Sequence, residues 1–139
     1  MLLDDLPAIN KLLTTAKTIA VVGLSPKESR PSNMVARYLL GEGYTVIPVN
    51  PGQEEILGLP CYPALGSIPT PVDIVDIFRR SEDVPPIVNE AIAIGAKAVW
   101  MQEGVIHAEA ARTAKAAGLV VVMDRCIKTV HHDLGHQRG

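Results

Sequence analysis

The sequence predicts an α/β fold, doubly wound around a mainly parallel sheet with helices on both faces. Three observations predict it. Short, continuous apolar runs such as 18–22 and 119–123 read as strands buried on both sides, because a strand with one wet face would alternate. Helical segments of about a dozen residues separate those runs, which is the pattern of βαβ units joined by right-handed crossovers. Hydrophobic residues make up 47% of the 139 residues but aromatic ones only 4%, so the core is built of Val, Ile, Leu and Ala, as suits such a sheet under Ala-rich helices. Length and composition fit a single Rossmann-like domain over residues 1–139, with a short polar tail from about residue 128.

Each element has a local reason. Asp5 is placed to cap a first helix, with Pro7 in its opening turn and Leu6, Ile9, Leu12, Leu13 and Ala16 on one face. The first strand begins at Thr18 and ends at Gly23, and a loop follows to Pro31. Ser32 to Glu42 reads as a helix with Met34, Val35, Tyr38 and Leu39 inward and Gly43 as its stop. The second strand, Tyr44 to Val49, carries Pro48, which lacks a ladder donor and so belongs at the strand's end. Asn50-Pro51-Gly52 is the turn after it. Leu59 to Tyr62 reads as a short edge strand. In the strand from Val72 to Phe78, period two sends Asp73 and Asp76 to opposite faces, so they form no catalytic carboxylate pair. Asp83 is placed to cap a helix running to Ile94. Lys97 to Met101 is a strand, His107 to Ala117 a helix closed by Gly118, and Leu119 to Met123 the last strand. His107 reads as a helix-start residue.

Composition excludes several function classes. The net charge is -2 and no basic stripe is visible, so no nucleic-acid partner is expected. No apolar run approaches the ~20 residues of a membrane span. Asp4 and Asp5 stand where a signal peptide would carry cations. The two cysteines, Cys61 and Cys126, are far apart and form no CxxC pair, so a cytoplasmic location with reduced thiols is expected.

In a doubly wound sheet, ligands bind outside the carboxyl ends of the strands, where strand order reverses. The loop from Gly23 to Arg30 is the strongest candidate. A glycine ends the strand, Ser25, Ser29 and Ser32 add hydroxyls, Lys27 and Arg30 add charge, and the next helix starts near Ser32 to Val35 with N–H groups suited to an anion. A phosphate-bearing nucleotide fits that set. The usual nicotinamide signature is missing: one glycine stands in place of GxGxxG, and Val49-Asn50-Pro51 offers no acid to a ribose hydroxyl.

Several segments together resemble a known family. They are Val21-Val-Gly-Leu-Ser-Pro, Arg30-Pro-Ser, Val49-Asn-Pro-Gly, Leu57-Gly-Leu-Pro-Cys-Tyr, the helix Val84 to Gly95, Trp100-Met-Gln-Glu-Gly104 and Met123-Asp-Arg-Cys126. In order and spacing this set is similar to the small stand-alone CoA-binding proteins and to the N-terminal domain of the succinyl-CoA synthetase alpha subunit. The resemblance implies coenzyme A, or an acyl-CoA, lying across the strand ends. It implies that Gly23, Leu24 and Ser25 line the phosphate and pantetheine path. Asn50, Pro51 and Gln53 would then lie beside the ADP portion, and Phe78, Arg79, Gln102, Glu103 and Gly104 would border the crevice. A lysine of the synthetase domain is matched here by Gln53, and Lys27, Arg30 and Arg79 supply positive charge instead.

The synthetase's phosphorylated histidine belongs to a second domain with no counterpart here, so binding without catalysis is expected, with a homodimer or a ligase subunit as the protein partner. Two rivals stand beside this reading. One is an enzyme, using an atypical dinucleotide or a Cys126-dependent acyl or thiol transfer. At the mouth of the last strand, Cys126 reads first as a small buried hydrophobe and second as a thiol within reach of CoA. The other rival is a protein-docking module, marked by an apolar face on the first helix left uncovered. His131, His132 and His136 match no zinc spacing and read as a polar, frayed tail without metal.

Overall fold

The computed structural model describes residues 6–135. The main sheet holds β1 (Thr18–Val22), β2 (Thr45–Val49), β5 (Ile74–Ile77), β6 (Ala98–Met101) and β7 (Val120–Val122). Its order is β2-β1-β5-β6-β7, and every pair is parallel, with Ile19 opposite Ile74, Ile74 opposite Ala98, and Ala98 opposite Val120. A two-stranded antiparallel ladder of β3 (Glu55–Ile56) and β4 (Leu59–Pro60) hangs from the β2 end. Its connecting Leu57 and Gly58 have φ of 58° and 73°, the left-handed pair that a tight two-residue hairpin requires.

Side chains alternate between two cores, which is why the strands read as continuous apolar runs. Ala20, Val22, Val75, Ile77, Val99, Met101 and Val121 face one layer, covered by α3 (Val84–Ala93) and α4 (Ala108–Ala116). Ile19, Val21, Ile74, Ala98, Trp100 and Val122 face the other, covered by α1 (Leu6–Thr15), α2 (Pro31–Gly41) and α5 (Ile127–Asp133). The doubly wound reading thus holds, and β1 and β5 flank the point where the order reverses. The reversal places the carboxyl ends of those two strands, Gly23 and Phe78, at the mouth of the crevice.

Several local expectations change. Met34 is 46% exposed rather than inward, and Leu6, at the head of α1, is 40% exposed, whereas Ile9, Leu12, Leu13 and Ala16 are buried as the period requires. Pro48 sits inside β2, one residue before its end. Its carbonyl accepts from Tyr62 N–H (3.0 Å) on the outer edge of the sheet, so the missing donor also points outward, where no ladder needs it. Asp83 does not cap α3; its carboxylate pairs with Arg80 (3.2 Å) and Arg79 (3.7 Å). His107 does cap α4, its Nδ1 accepting from Ala110 N–H at 3.1 Å.

The largest correction concerns the expected polar tail. Residues 127–133 form α5, and His131 within it is fully buried, its Nδ1 at 2.7 Å from the Tyr38 hydroxyl. Ile127, Val130 and Leu134 give this short helix an apolar face, and the fully buried His131 joins the interior through its hydrogen bond with Tyr38. The Asp5 cap and His136 lie outside the described residues. Among the described residues no cluster of His, Cys, Asp or Glu is arranged to hold a metal, and no helix is long and apolar enough to cross a membrane.

Candidate functional site

The loop after β1 is built on Gly23. Its φ is +87°, and a Cβ there would lie 2.2 Å from the Phe78 carbonyl oxygen and 2.9 Å from Arg79 Cδ. The glycine therefore lets the ends of β1 and β5 close on each other, rather than simply opening room for a ligand. Gly23 N–H donates to Val49 O (2.8 Å), which ties the same point to β2. Asn50 completes the tie: its Nδ2 donates to Leu24 O and its Oδ1 accepts from Gly52 N–H, both at 2.9 Å. Asn50 stands where a nicotinamide-binding fold would place an acid, and here it is spent on holding two loops together.

Beyond Gly23 the loop is cross-braced by its own polar groups. Ser25 N–H donates to Ser32 Oγ (3.0 Å), Ser25 Oγ accepts from Lys27 N–H (3.1 Å), and Asn33 Nδ2 donates to Ser25 O (2.9 Å). Leu24 is fully buried. The first turn of α2 offers an anion less than the sequence suggests. Pro31 has no N–H, and those of Asn33 and Met34 bond back to Arg30 O at 3.1 Å each. The exposed side chains of Lys27 and Arg30 remain as the loop's positive charge.

Two clefts open along the strand ends. The larger, about 570 Å³, is lined by Pro31, Val35, Phe78, Arg79, Arg80, Asp83, Gln102, Glu103, Val105 and Cys126. The smaller, about 230 Å³, is lined by Val22, Val49, Pro51, Pro63, Ala64, Leu65, Arg79, Asp83, Pro86, Ile87 and Glu90. Arg79 and Asp83 border both, so the two form one trough running across β2, β1, β5 and β6. The Arg79 side chain is 41% exposed over this junction. Side-chain hydrogen bonding to Asp83 and the nearby charges of Asp83 and Glu82 hold the Arg80 guanidinium protonated even more firmly than usual.

The far wall of the larger cleft is a clamp between two loops. Trp100 Nε1 donates to Arg125 O (2.9 Å), Arg125 N–H to Met101 O (3.3 Å), Gly104 N–H to Asp124 Oδ1 (2.7 Å) and Ile127 N–H to Gln102 Oε1 (3.1 Å). Asp124 accepts a left-handed φ of 62° within this turn. Gln102 is therefore both a cleft wall and a buried brace, and Cys126 packs against the core with one side while it lines the cleft with the other.

With that geometry in view, the relatives of the chain are informative. A family model described as the CoA binding domain matches residues 17–132. The chain belongs to that family. It is 42% identical to the uncharacterized protein YneT of Bacillus subtilis over 123 residues, 88% of this chain and 91% of that one. A hypothetical protein from Pyrococcus horikoshii has the same fold with a TM-score of 0.90 at 43% identity, covering 93% of this chain and 91% of the other. The chain is also 30% identical over 128 residues to the ADP-forming acetate–CoA ligase I of Archaeoglobus fulgidus, of which it spans 19%. The family and the likeness to the CoA-binding part of such ligases thus agree with the resemblance drawn from the motifs.

Of the residues expected at the site, Phe78, Arg79, Gln102 and Glu103 line the larger cleft and Pro51 and Arg79 the smaller. Gly23, Leu24, Ser25 and Asn50 form the frame between them. Lys27, Arg30, Gln53 and Gly104 are exposed and line neither cleft. Sequence reasoning missed the Pro63–Leu65 and Pro86–Glu90 walls. Those residues come from the segment leading into the 3₁₀ turn Leu65–Ser67 and from α3, whose nearness to the strand ends only the folded chain reveals.

Proposed function

We propose that this CoA-binding-domain chain holds coenzyme A, or an acyl-CoA, in the trough at the carboxyl ends of its strands, without turnover of its own. The observation that carries the reading is Arg79, which borders both clefts where sheet order reverses. A ligand with an anionic middle and two dissimilar ends fits there. The nucleotide end takes the smaller cleft beside Pro51, with Asn50 and Gln53 near it. The pyrophosphate lies against Gly23–Ser25 under the charge of Lys27, Arg30 and Arg79, and the pantetheine arm runs along Phe78, Gln102, Glu103 and Gly104 toward Cys126. Clefts of this size suit a ligand larger than a mononucleotide, and the lack of an acidic ribose reader favours CoA over NAD. We read residues 1–139 as one such module of the cytoplasm, assembling as a homodimer or with a ligase subunit.

Isothermal calorimetry with CoA, and with NAD for comparison, tests this. CoA gives heat at one site per chain and NAD none. Arg79→Gln weakens CoA binding by about tenfold, the value of one charge-assisted hydrogen bond of ~1.4 kcal/mol. Absence of heat with CoA, or equal affinity for NAD, overturns the reading. In the second case the chain is a dinucleotide protein.

A further inference from the structure

At the inner end of the larger cleft a thiol lies over a buried acid. Cys126 is half-buried and lines the cleft, held from both sides by the Trp100–Arg125 and Gln102–Ile127 hydrogen bonds. Asp76 stands on β5 in register between Val21 and Trp100. Strand alternation turns it to the face that carries Ile74, Trp100 and Phe78, the face on which Cys126 packs. Asp76 is completely buried, and neither of its carboxylate oxygens has a hydrogen-bond partner among the described residues. Burial pushes its carboxyl well above the ordinary range, and the charge of a Cys126 thiolate pushes it further.

A buried, unpaired acid costs stability and gains none from a partner, so its place beneath the cleft calls for a chemical reason. Cys61 is the internal contrast. Its thiol donates to the Asn50 carbonyl at 3.5 Å, and burial raises it above the ordinary thiol range.

We propose that this end of the cleft is a thiol–disulfide exchange site, where Cys126 reacts with the disulfide of CoA to give a protein–CoA mixed disulfide. The inference rests on the CoA reading above and adds a reaction to it. Cys126 loses its proton to solvent through the open cleft, and its sulfur attacks one sulfur of the CoA disulfide. That S–S bond breaks, and one CoA leaves as a thiolate that takes up a proton. One disulfide is consumed and one is formed, so no further oxidant enters. The reaction is stoichiometric, and an incoming thiol reverses it. Asp76 acts through Cys126 as a positioning residue. Burial keeps the Asp76 carboxyl protonated, and any ionisation of it beneath the sulfur opposes release of a thiolate there, so the adduct persists.

The experiment is intact-protein and peptide mass spectrometry at pH 8, with CoA disulfide and with hydroxyethyl disulfide, which lacks the nucleotide. One CoA per chain is expected, on Cys126 and not Cys61, formed at least tenfold faster than the hydroxyethyl adduct. Calorimetry with reduced CoA is run in parallel. If reduced CoA gives no heat, the binding reading fails. If it binds and yet Cys126 takes no adduct, or Cys61 reacts as fast, or hydroxyethyl disulfide reacts as fast as CoA disulfide, the exchange site is overturned. Dithiothreitol is expected to release CoA from the Asp76→Asn adduct at least twofold faster than from the wild-type adduct, and equal rates remove Asp76 from the proposal.

Discussion

Replacing Asp76 by Asn exchanges one carboxyl oxygen for an amide nitrogen and removes one titration. In the unfolded chain Asp76 ionises near pH 4, the ordinary value for an aspartate. In the folded chain it is fully buried without a hydrogen-bond partner among the described residues, and burial raises its carboxyl well above that value. Between the two values the unfolded state has released a proton that the folded state retains. Stability is therefore fully present below about pH 4 and falls as pH rises toward the folded value, by up to ~1.4 kcal/mol per pH unit. The Asp76→Asn protein carries no proton to lose at this position, and other groups titrate alike in both proteins and cancel in the difference. At pH 4 the two proteins are within about 1 kcal/mol, because an unpaired buried amide and an unpaired buried acid cost similar amounts. The variant then gains on the wild type by about 1 kcal/mol per pH unit until the folded carboxyl ionises, where the difference levels off. Urea denaturation of both proteins at half-unit steps from pH 4 to 8 measures this directly. A difference that stays flat within about 0.5 kcal/mol, less than half of one proton's slope per pH unit, would refute the reasoning, because it would mean that Asp76 titrates normally in the fold.

Asp73, three residues earlier, has the opposite sign. Burial works to raise its carboxyl, but hydrogen bonds from Lys17 and Thr18 N–H (2.8 and 3.1 Å) and the charge of Lys97 outweigh it and leave the group below its ordinary value. Asp73→Asn therefore loses about 1–2 kcal/mol at pH 7, and in the same urea series that loss disappears as pH falls below 4. Gly23→Ala forces both a left-handed φ and a 2.2 Å approach to Phe78 O. It costs about 2–4 kcal/mol, read as a drop in thermal midpoint, and it weakens CoA binding because the ends of β1 and β5 part. Asn50→Ala removes the two 2.9 Å bonds that join the first and second loops. It costs about 1–3 kcal/mol and lowers CoA affinity in calorimetry more than Gln53→Ala, whose exposed side chain makes no such tie.

Much of the fold was legible because its code is local. Residues 19–22 and 120–122 are apolar throughout, which only a strand covered on both sides tolerates, and glycines such as Gly43, Gly95 and Gly118 stand at left-handed helix ends. What was not legible depends on distant partners. Nothing near His131 in the sequence announces that Tyr38, 93 residues earlier, meets its Nδ1, so a helix that completes the core read as a polar tail. Asp83 looked like a cap because caps are judged by position, yet two arginines beside it offered its carboxylate a better partner.

The site divides along the same line. Gly23 and Arg79 were found because a strand end followed by glycine or a cation is a local signal. Cys126 read first as packing and second as a thiol within reach of CoA, because a lone thiol after a strand carries no stronger local signal. Its setting comes from Trp100 and Gln102 on β6 and just beyond it and from Asp76 on β5, three side chains brought under one turn by sheet order alone. Hydrophobic patterning explains why Val75 and Ile77 are where they are. It gives no reason for an acid between them, and Asp76 breaks the apolar run of the central strand at the position below the cleft. The departure of the sequence from its own folding code therefore points to chemistry at the thiol end of the trough, whereas Gly23 and Asn50, between the two clefts, serve to hold the frame.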